Sequence, residues 1–190
     1  MINHAMIDLE TLSTESDACV ISIGVAIFTD KEVTQSDGWA IRPDYWHGRI
    51  DGSTVAWWAD VERDGAREFS FKGKHSDFGA AFALKTFLAQ YNVQEVWAKD
   101  PHFDYVILKN WWTRIGVVKV EGHLQPHPGD FPISYRQPRS YRTIVGEAER
   151  MGHEVEESRG IFVAHNPVED AVSQARVVVE ARKLLGGVVR

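Results

Sequence analysis

Apolar residues recur along the chain with two different periods. Short runs rich in Val and Ile at Ala5 to Glu10, Ala18 to Phe28, Trp39 to Arg42 and Val93 to Ala98 have the length and composition of strands. Ser13 to Asp17 is polar and turn-forming, and Lys31 to Gly38 reads as a hairpin connection, so the first three strands predict an antiparallel meander. Helical spacing then takes over. Ser53 is a candidate N-cap for a helix containing Val55 to Trp58, and Ser76 for one running to about Tyr91, with Phe78, Ala81, Leu84 and Leu88 on its apolar stripe. Phe103 to Ile115 predicts a helix with Tyr105, Leu108 and Trp112 on one side, and Arg139 to Met151 predicts another.

Between those two helices, Glu121 to Pro138 collects Pro126, Pro128, Pro132 and Pro138, which remove backbone donors and predict an irregular loop with room for a short strand. Ile161 to Ala164 is a short apolar lead-in to the last helix. That helix starts clearly: Asn166 suits the N-cap, Pro167 the first helical position, and Glu169 stands three residues after the cap. Its buried stripe is Val168, Ala171, Val172, Ala175, Val178 and Val179. The order of elements is that of an α/β fold in which an antiparallel three-strand start is followed by strand-helix units.

Composition limits what such a fold can do. The 190 residues, 44% hydrophobic, suit a single domain spanning 1–190 with its own core. Lys and Arg number 21 against 27 Asp and Glu, a formal charge of −6, with no basic block to serve as a nonspecific nucleic-acid footprint. The single Cys19 lies in an apolar run and suits a core thiol in a reducing compartment. No apolar run reaches the roughly 18 residues of a membrane span, and no secretory signal pattern opens the chain, so a cytoplasmic location without membrane partners is expected.

Candidate chemistry begins where the first strand interrupts its own apolarity. Asp8 and Glu10 are two residues apart, so on a strand both carboxylates emerge from one face. Alone they repel; divalent cations would neutralise them. Asp104, just after the fourth strand, and Asp170, in the first turns of the last helix, can join them if the first and fourth strands are neighbours. Hard carboxylate oxygens suit Mg²⁺ or Mn²⁺, and two such ions about 4 Å apart activate water and stabilise the leaving oxygen of an in-line phosphoryl displacement. His165 precedes the last helix and is the candidate general base.

Taken together, these residues resemble a known family. Asp8-Leu-Glu10, the Phe-Asp of Trp97-Ala-Lys-Asp-Pro-His-Phe-Asp104, and His165-Asn-Pro-Val-Glu-Asp170 resemble the three motifs of the DEDDh, or DnaQ-like, 3′-5′ exonucleases. Ile50-Asp-Gly-Ser-Thr-Val-Ala-Trp-Trp58 and Arg139-Ser-Tyr-Arg-Thr143 resemble the subgroup of phage exodeoxyribonuclease A and the RNase AS type of exoribonuclease. The resemblance runs from Met6 to about Ala181. It implies an RNase H-like fold with a five-stranded mixed sheet flanked by helices. It also implies metal binding by Asp8, Glu10, Asp104 and Asp170, a general base at His165, and hydrolysis of single-stranded nucleic acid or 3′ overhangs to nucleoside monophosphates. DNA is favoured over RNA because the phage members are the nearer resemblance, and pairing into a homodimer is compatible with it. Where many members carry a small polar residue and then Gly ahead of the Phe-Asp pair, this chain has Lys99 and Asp100.

Other residues have competing readings. Trp57 and Phe103 are candidates for stacking on unpaired bases, while Trp58 and Trp112 are expected in the core. Arg142 is a candidate phosphate contact; Arg139 serves either phosphate or an ion pair. Glu169 and Asp100 read as cap and loop, not ligands. His123 and His127 are spaced like half a zinc site but no second ligand pair accompanies them. The alternatives to an exonuclease are an RNase H-like endonuclease or resolvase, and a catalytically silent nucleic-acid-binding module.

Overall fold

A computed structural model of the chain describes residues 2–60, 64–116, 119–120, 123–124, 126–155 and 165–186. Strand β1 (His4–Thr11) is central, because both of its edges are paired. On one side runs β2 (Val20–Phe28), antiparallel, with Asp8 opposite Gly24. On the other runs β4 (Glu95–Ala98), parallel, from His4 opposite Glu95 to Met6 opposite Trp97. Beyond β2 lies β3 (Val33–Ala40), antiparallel, and beyond β4 lies β7 (Pro138–Ser140), parallel, giving the order β3-β2-β1-β4-β7. This is the five-stranded mixed sheet that the family resemblance implies, with the antiparallel start that the strand pattern predicts.

Helices cover both faces. α3 (Asp77–Gln90) and α4 (Asp104–Arg114) pack with Ala5, Ile7 and Leu9 of β1. α5 (Tyr141–Arg150) and α6 (Pro167–Gly186) cover Met6, Ala26 and Phe28 on the opposite face. A smaller apolar cluster joins Leu12 and Ile21 to Trp58 of α1 (Gly52–Trp58) and Ala66 of α2 (Asp64–Ser70). Cys19 is buried, and burial pushes its thiol up to about 12, so it behaves as a small apolar side chain.

Several boundaries differ from expectation for identifiable reasons. The third strand begins at Val33, not at Trp39, because the turn is tight: Thr29 N–H donates to Glu32 O at 2.9 Å, and Thr34 to Asp37 then run along an outer strand exposed to solvent. An edge strand with solvent on both faces needs no apolar alternation, so its sequence reads as loop. α1 is preceded by Asp51, not capped by Ser53; the Asp51 carboxylate is instead held by Ser13 Oγ at 2.6 Å and Arg49 Nε at 2.9 Å. α2 was not expected. α5 starts at Tyr141, with Ser140 Oγ accepting from Thr143 N–H, because Arg139 belongs to the edge strand β7.

Ser76 caps α3 as expected, and Asn166 Oδ1 accepts from Val168 N–H at 3.1 Å and Glu169 N–H at 3.4 Å. Within the proline-rich stretch and just before it, Lys119–Val120 (β5) pairs antiparallel with His123–Leu124 (β6). The lead-in Ile161 to Ala164 and the side chain of His123 lie outside the described residues. His127 Nδ1 accepts locally from Gly129 N–H at 3.0 Å.

Candidate active site

Alternation along β1 sorts its side chains between the two faces. Ala5, Ile7 and Leu9 enter the core under α3 and α4, whereas Met6 lies under α6, and the two-residue period sends Asp8 and Glu10 after Met6. What brings α6 to them is an absence of side chains. Abreast of Asp8 stand Gly24 on β2 and Gly38 on β3. A Cβ on Gly24 would lie 2.1 Å from the Pro167 carbonyl carbon and oxygen, and one on Gly38 would lie 2.3 Å from Val168 Cγ2. The first turn of α6 therefore rests directly on the sheet, and Asp170 arrives beside the β1 carboxylates.

Asp104 comes from the other side. β4 pairs with β1 only as far as Met6 opposite Trp97, which leaves the Leu9 N–H free to donate to Asp104 Oδ1 at 3.2 Å. Asp100 builds the approach: its carbonyl accepts from Phe103 and Asp104 N–H at 2.9 and 3.1 Å, and its carboxylate accepts from His102 N–H at 3.0 Å. Lys99, next to it, lies with its Nζ 5.9 Å from the Tyr141 ring centre, and its charge favours the ionised forms of Asp8 and Asp170.

His165 adopts a left-handed backbone, φ 67°, which for a residue with a Cβ costs roughly 1–2 kcal/mol. Its N–H donates to Asp170 Oδ2 at 2.9 Å, and its imidazole meets the Trp57 indole edge to face, 4.7 Å between centres. Trp57 is set by its neighbour: Trp58 Nε1 donates to Thr11 O at 2.9 Å, fixing α1 against the end of β1. Glu10, His165 and Asp170 can each offer a ligand atom such that all three lie within 4.8 Å of one another. Beside Glu10 opens a cavity of about 380 Å³, lined among others by Thr11, Ser53, Trp57 and Phe103.

Electrostatics supplies the test of what this cluster can hold. Glu10 and Asp104 are 8% and 5% exposed. Burial first, then the neighbouring carboxylates, raise Asp8 and Glu10 well above the ordinary carboxylate range, and burial pushes Asp104 up to about 7 against the hydrogen bond from Leu9. Burial raises Asp170 as well, opposed by the His165 N–H. Buried oxygens that repel one another, without a matching set of cations among the described residues, would suit a hard divalent ion.

The remaining candidates are distributed as follows. Trp57 and Phe103 line the cavity; Arg142 is exposed on the first turn of α5 and outside its lining. Arg139 forms an ion pair with Glu95, with Nε and Nη2 both 3.0 Å from Oε1. Sequence reasoning missed Gln174, whose Nε2 donates to Asp8 Oδ1 at 2.8 Å, although its position four residues after Asp170 puts both on one face of α6.

Two solved structures share this architecture. The nuclease domain of 3′hExo, a DEDDh family member bound to rAMP, superposes with a TM-score of 0.56 at 13% identity over 95% of this chain and 92% of that one. Exonuclease X in complex with 5′ overhanging duplex DNA gives 0.52 at 12% identity over 96% and 93%. The fold is thus the RNase H-like fold of the DEDDh exonucleases. At the level of sequence, the model of the Rv2179c-like 3′-5′ exoribonuclease domain matches residues 3–181, and the chain belongs to that family of 3′-5′ exonucleases. No curated protein matches it in sequence. No described helix is long and apolar enough to cross a membrane.

Proposed function

We propose that this chain, a single catalytic domain, removes nucleotides stepwise from the 3′ end of single-stranded RNA. Asp8, Glu10, Asp104 and Asp170 would hold two Mg²⁺ or Mn²⁺ ions, and His165 would act as general base. The observation that carries the reading is the approach of Glu10, His165 and Asp170 ligand atoms to within 4.8 Å beside a cavity walled by aromatic rings. When bound, the ions would supply charge neutralisation for the attacking and leaving oxygens of the phosphodiester.

The chain's own residues supply the rest. The 3′-terminal nucleotide enters the cavity, with Trp57 and Phe103 offering faces to its base, each such contact being worth about 1–3 kcal/mol. His165, held at its backbone by Asp170 and against its ring by Trp57, takes the proton from the water that attacks phosphorus. Stacking of this kind tolerates any base, so a nonspecific exonuclease is expected. RNA is chosen over the DNA suggested by the phage resemblance because the family that covers nearly the whole chain is described by exoribonuclease activity.

Matched RNA and DNA oligonucleotides with free and blocked 3′ ends, incubated with Mg²⁺ and with Mn²⁺, test this directly. Release of nucleoside monophosphates from free-ended RNA, faster than from DNA and absent when the end is blocked, is the expected result. Cleavage of the blocked strand would make the protein an endonuclease, and binding without product would make it a silent module.

A further inference from the structure

Gln174 is 8% exposed, sits one turn beyond Asp170 on α6, and faces β1 across the sheet. Its Nε2 donates to Asp8 Oδ1 at 2.8 Å. Its Oε1 is buried without a hydrogen-bond partner among the described residues. An unpaired buried carbonyl is a cost that packing alone does not require of this position, since an apolar side chain of the same length would avoid it. Turning the amide over would only exchange the buried carbonyl for a buried N–H in the same place, still without a partner among the described residues.

The contact also completes a pattern. Each of the three aspartates has one oxygen tied to a donor of the protein: Asp8 Oδ1 to Gln174, Asp104 Oδ1 to the Leu9 N–H, and Asp170 Oδ2 to the His165 N–H. Two of these donors are main-chain groups that no substitution of a side chain can remove. The third is a side chain.

We propose that Gln174 is a positioning residue that fixes the Asp8 carboxylate for metal binding. By occupying Oδ1 it leaves the other oxygen as the single ligand atom and stops the carboxylate from rotating or chelating through both. Groups that orient a metal ligand in this manner typically change metal affinity about 10- to 100-fold when removed. The inference rests on the metal-binding reading of the carboxylate cluster.

The test is Mn²⁺ titration of the full chain, with free ion followed by electron paramagnetic resonance and the Mn²⁺-induced rise in melting temperature recorded in parallel. Gln174→Met keeps length and burial but has no donor; Gln174→Asn keeps the amide but draws it back by about 1.5 Å, and serves if the Met variant does not fold. Either is expected to raise the Mn²⁺ dissociation constant about 10- to 100-fold and to shift the melting-temperature rise to correspondingly higher Mn²⁺. A residue that only packs would change the melting temperature equally with and without the ion. Wild-type Mn²⁺ affinity in a folded variant overturns the role of Gln174 alone, whereas a wild-type chain that takes up no Mn²⁺ overturns the metal site and this inference with it.

Discussion

Asp104 combines two opposing demands, a nearly closed environment and a donor at hydrogen-bond distance, and burial wins. Its carboxyl, ordinarily near 3.8, is pushed up to about 7. The folded chain therefore keeps this proton over a range in which the unfolded chain has lost it. Stability that is complete below the unfolded value is lost as pH rises toward 7. In EDTA, melting temperature should fall between about pH 4 and 7, and Asp104→Asn should flatten that part of the profile; an unchanged slope in the variant would show that Asp104 does not titrate there. Bound Mn²⁺ should cancel the loss at neutral pH by neutralising the same oxygens. At His165 the expectation is kinetic. His165→Ala should slow release of mononucleotides by about 10²–10⁴-fold with Mn²⁺ affinity retained, and a wild-type rate at neutral pH would remove the imidazole from the reaction.

At the scale of elements, the site exists because α6 can lie flat on three strands. Gly24 and Gly38 form the shelf, and at Gly24 the atoms that a side chain would strike belong to the backbone of Pro167 and Val168, which cannot rotate aside. Gly24→Ala should therefore lift the start of α6, destabilise the fold by about 1–3 kcal/mol, and reduce hydrolysis by separating Asp170 and His165 from Asp8. A variant with both the melting temperature and the rate of the wild type would show that the helix is not seated by this glycine. The same logic explains the end of β4. Because that strand stops pairing before Leu9, one N–H of β1 is left for Asp104, and a carboxylate takes the place of a ladder partner.

Across the whole molecule, a second polar cluster lies at the opposite end of β1 from the carboxylates. Buried His4 stands 3.0 Å from Glu95 and 3.5 Å from Asp30, while Arg182 reaches Asp30 at 3.0 Å and lies 5.8 Å from the Trp97 ring centre. It ties the start of β1, the β2–β3 turn, β4 and the far end of α6 together. Since Asp30 is half exposed and Arg182 only partly buried, the ion pairs are screened. Arg182→Met should lower stability by about 1 kcal/mol or less and leave the turnover number unchanged, as followed by thermal melting and oligonucleotide hydrolysis. A large loss of activity would mean that this end of α6 communicates with its catalytic end. Removal of divalent ions should by contrast abolish hydrolysis, and full activity in EDTA would end the metal reading for the molecule.

Much of this is legible in the sequence. Alternation fixed which face of β1 carries Asp8 and Glu10, Asn166 and Pro167 marked the start of the last helix, and Ser76 marked another, because strand period and helix caps are local properties of neighbouring residues. Edge strand β3 was misread because solvent on both faces removes the apolar signal. The sequence carries no signal for α2, and it divides β7 between the end of the proline-rich loop at Pro138 and the start of a helix at Arg139, because three residues beginning with proline carry almost no pattern of their own. What only the tertiary structure decided was the convergence itself. Gly24 and Gly38 look like weak points of two strands until α6 is laid across them, and Gln174 looks like a polar residue on a helix until Asp8 is found 2.8 Å away. Contacts between residues 166 positions apart are set by how layers pack, and no local period encodes them.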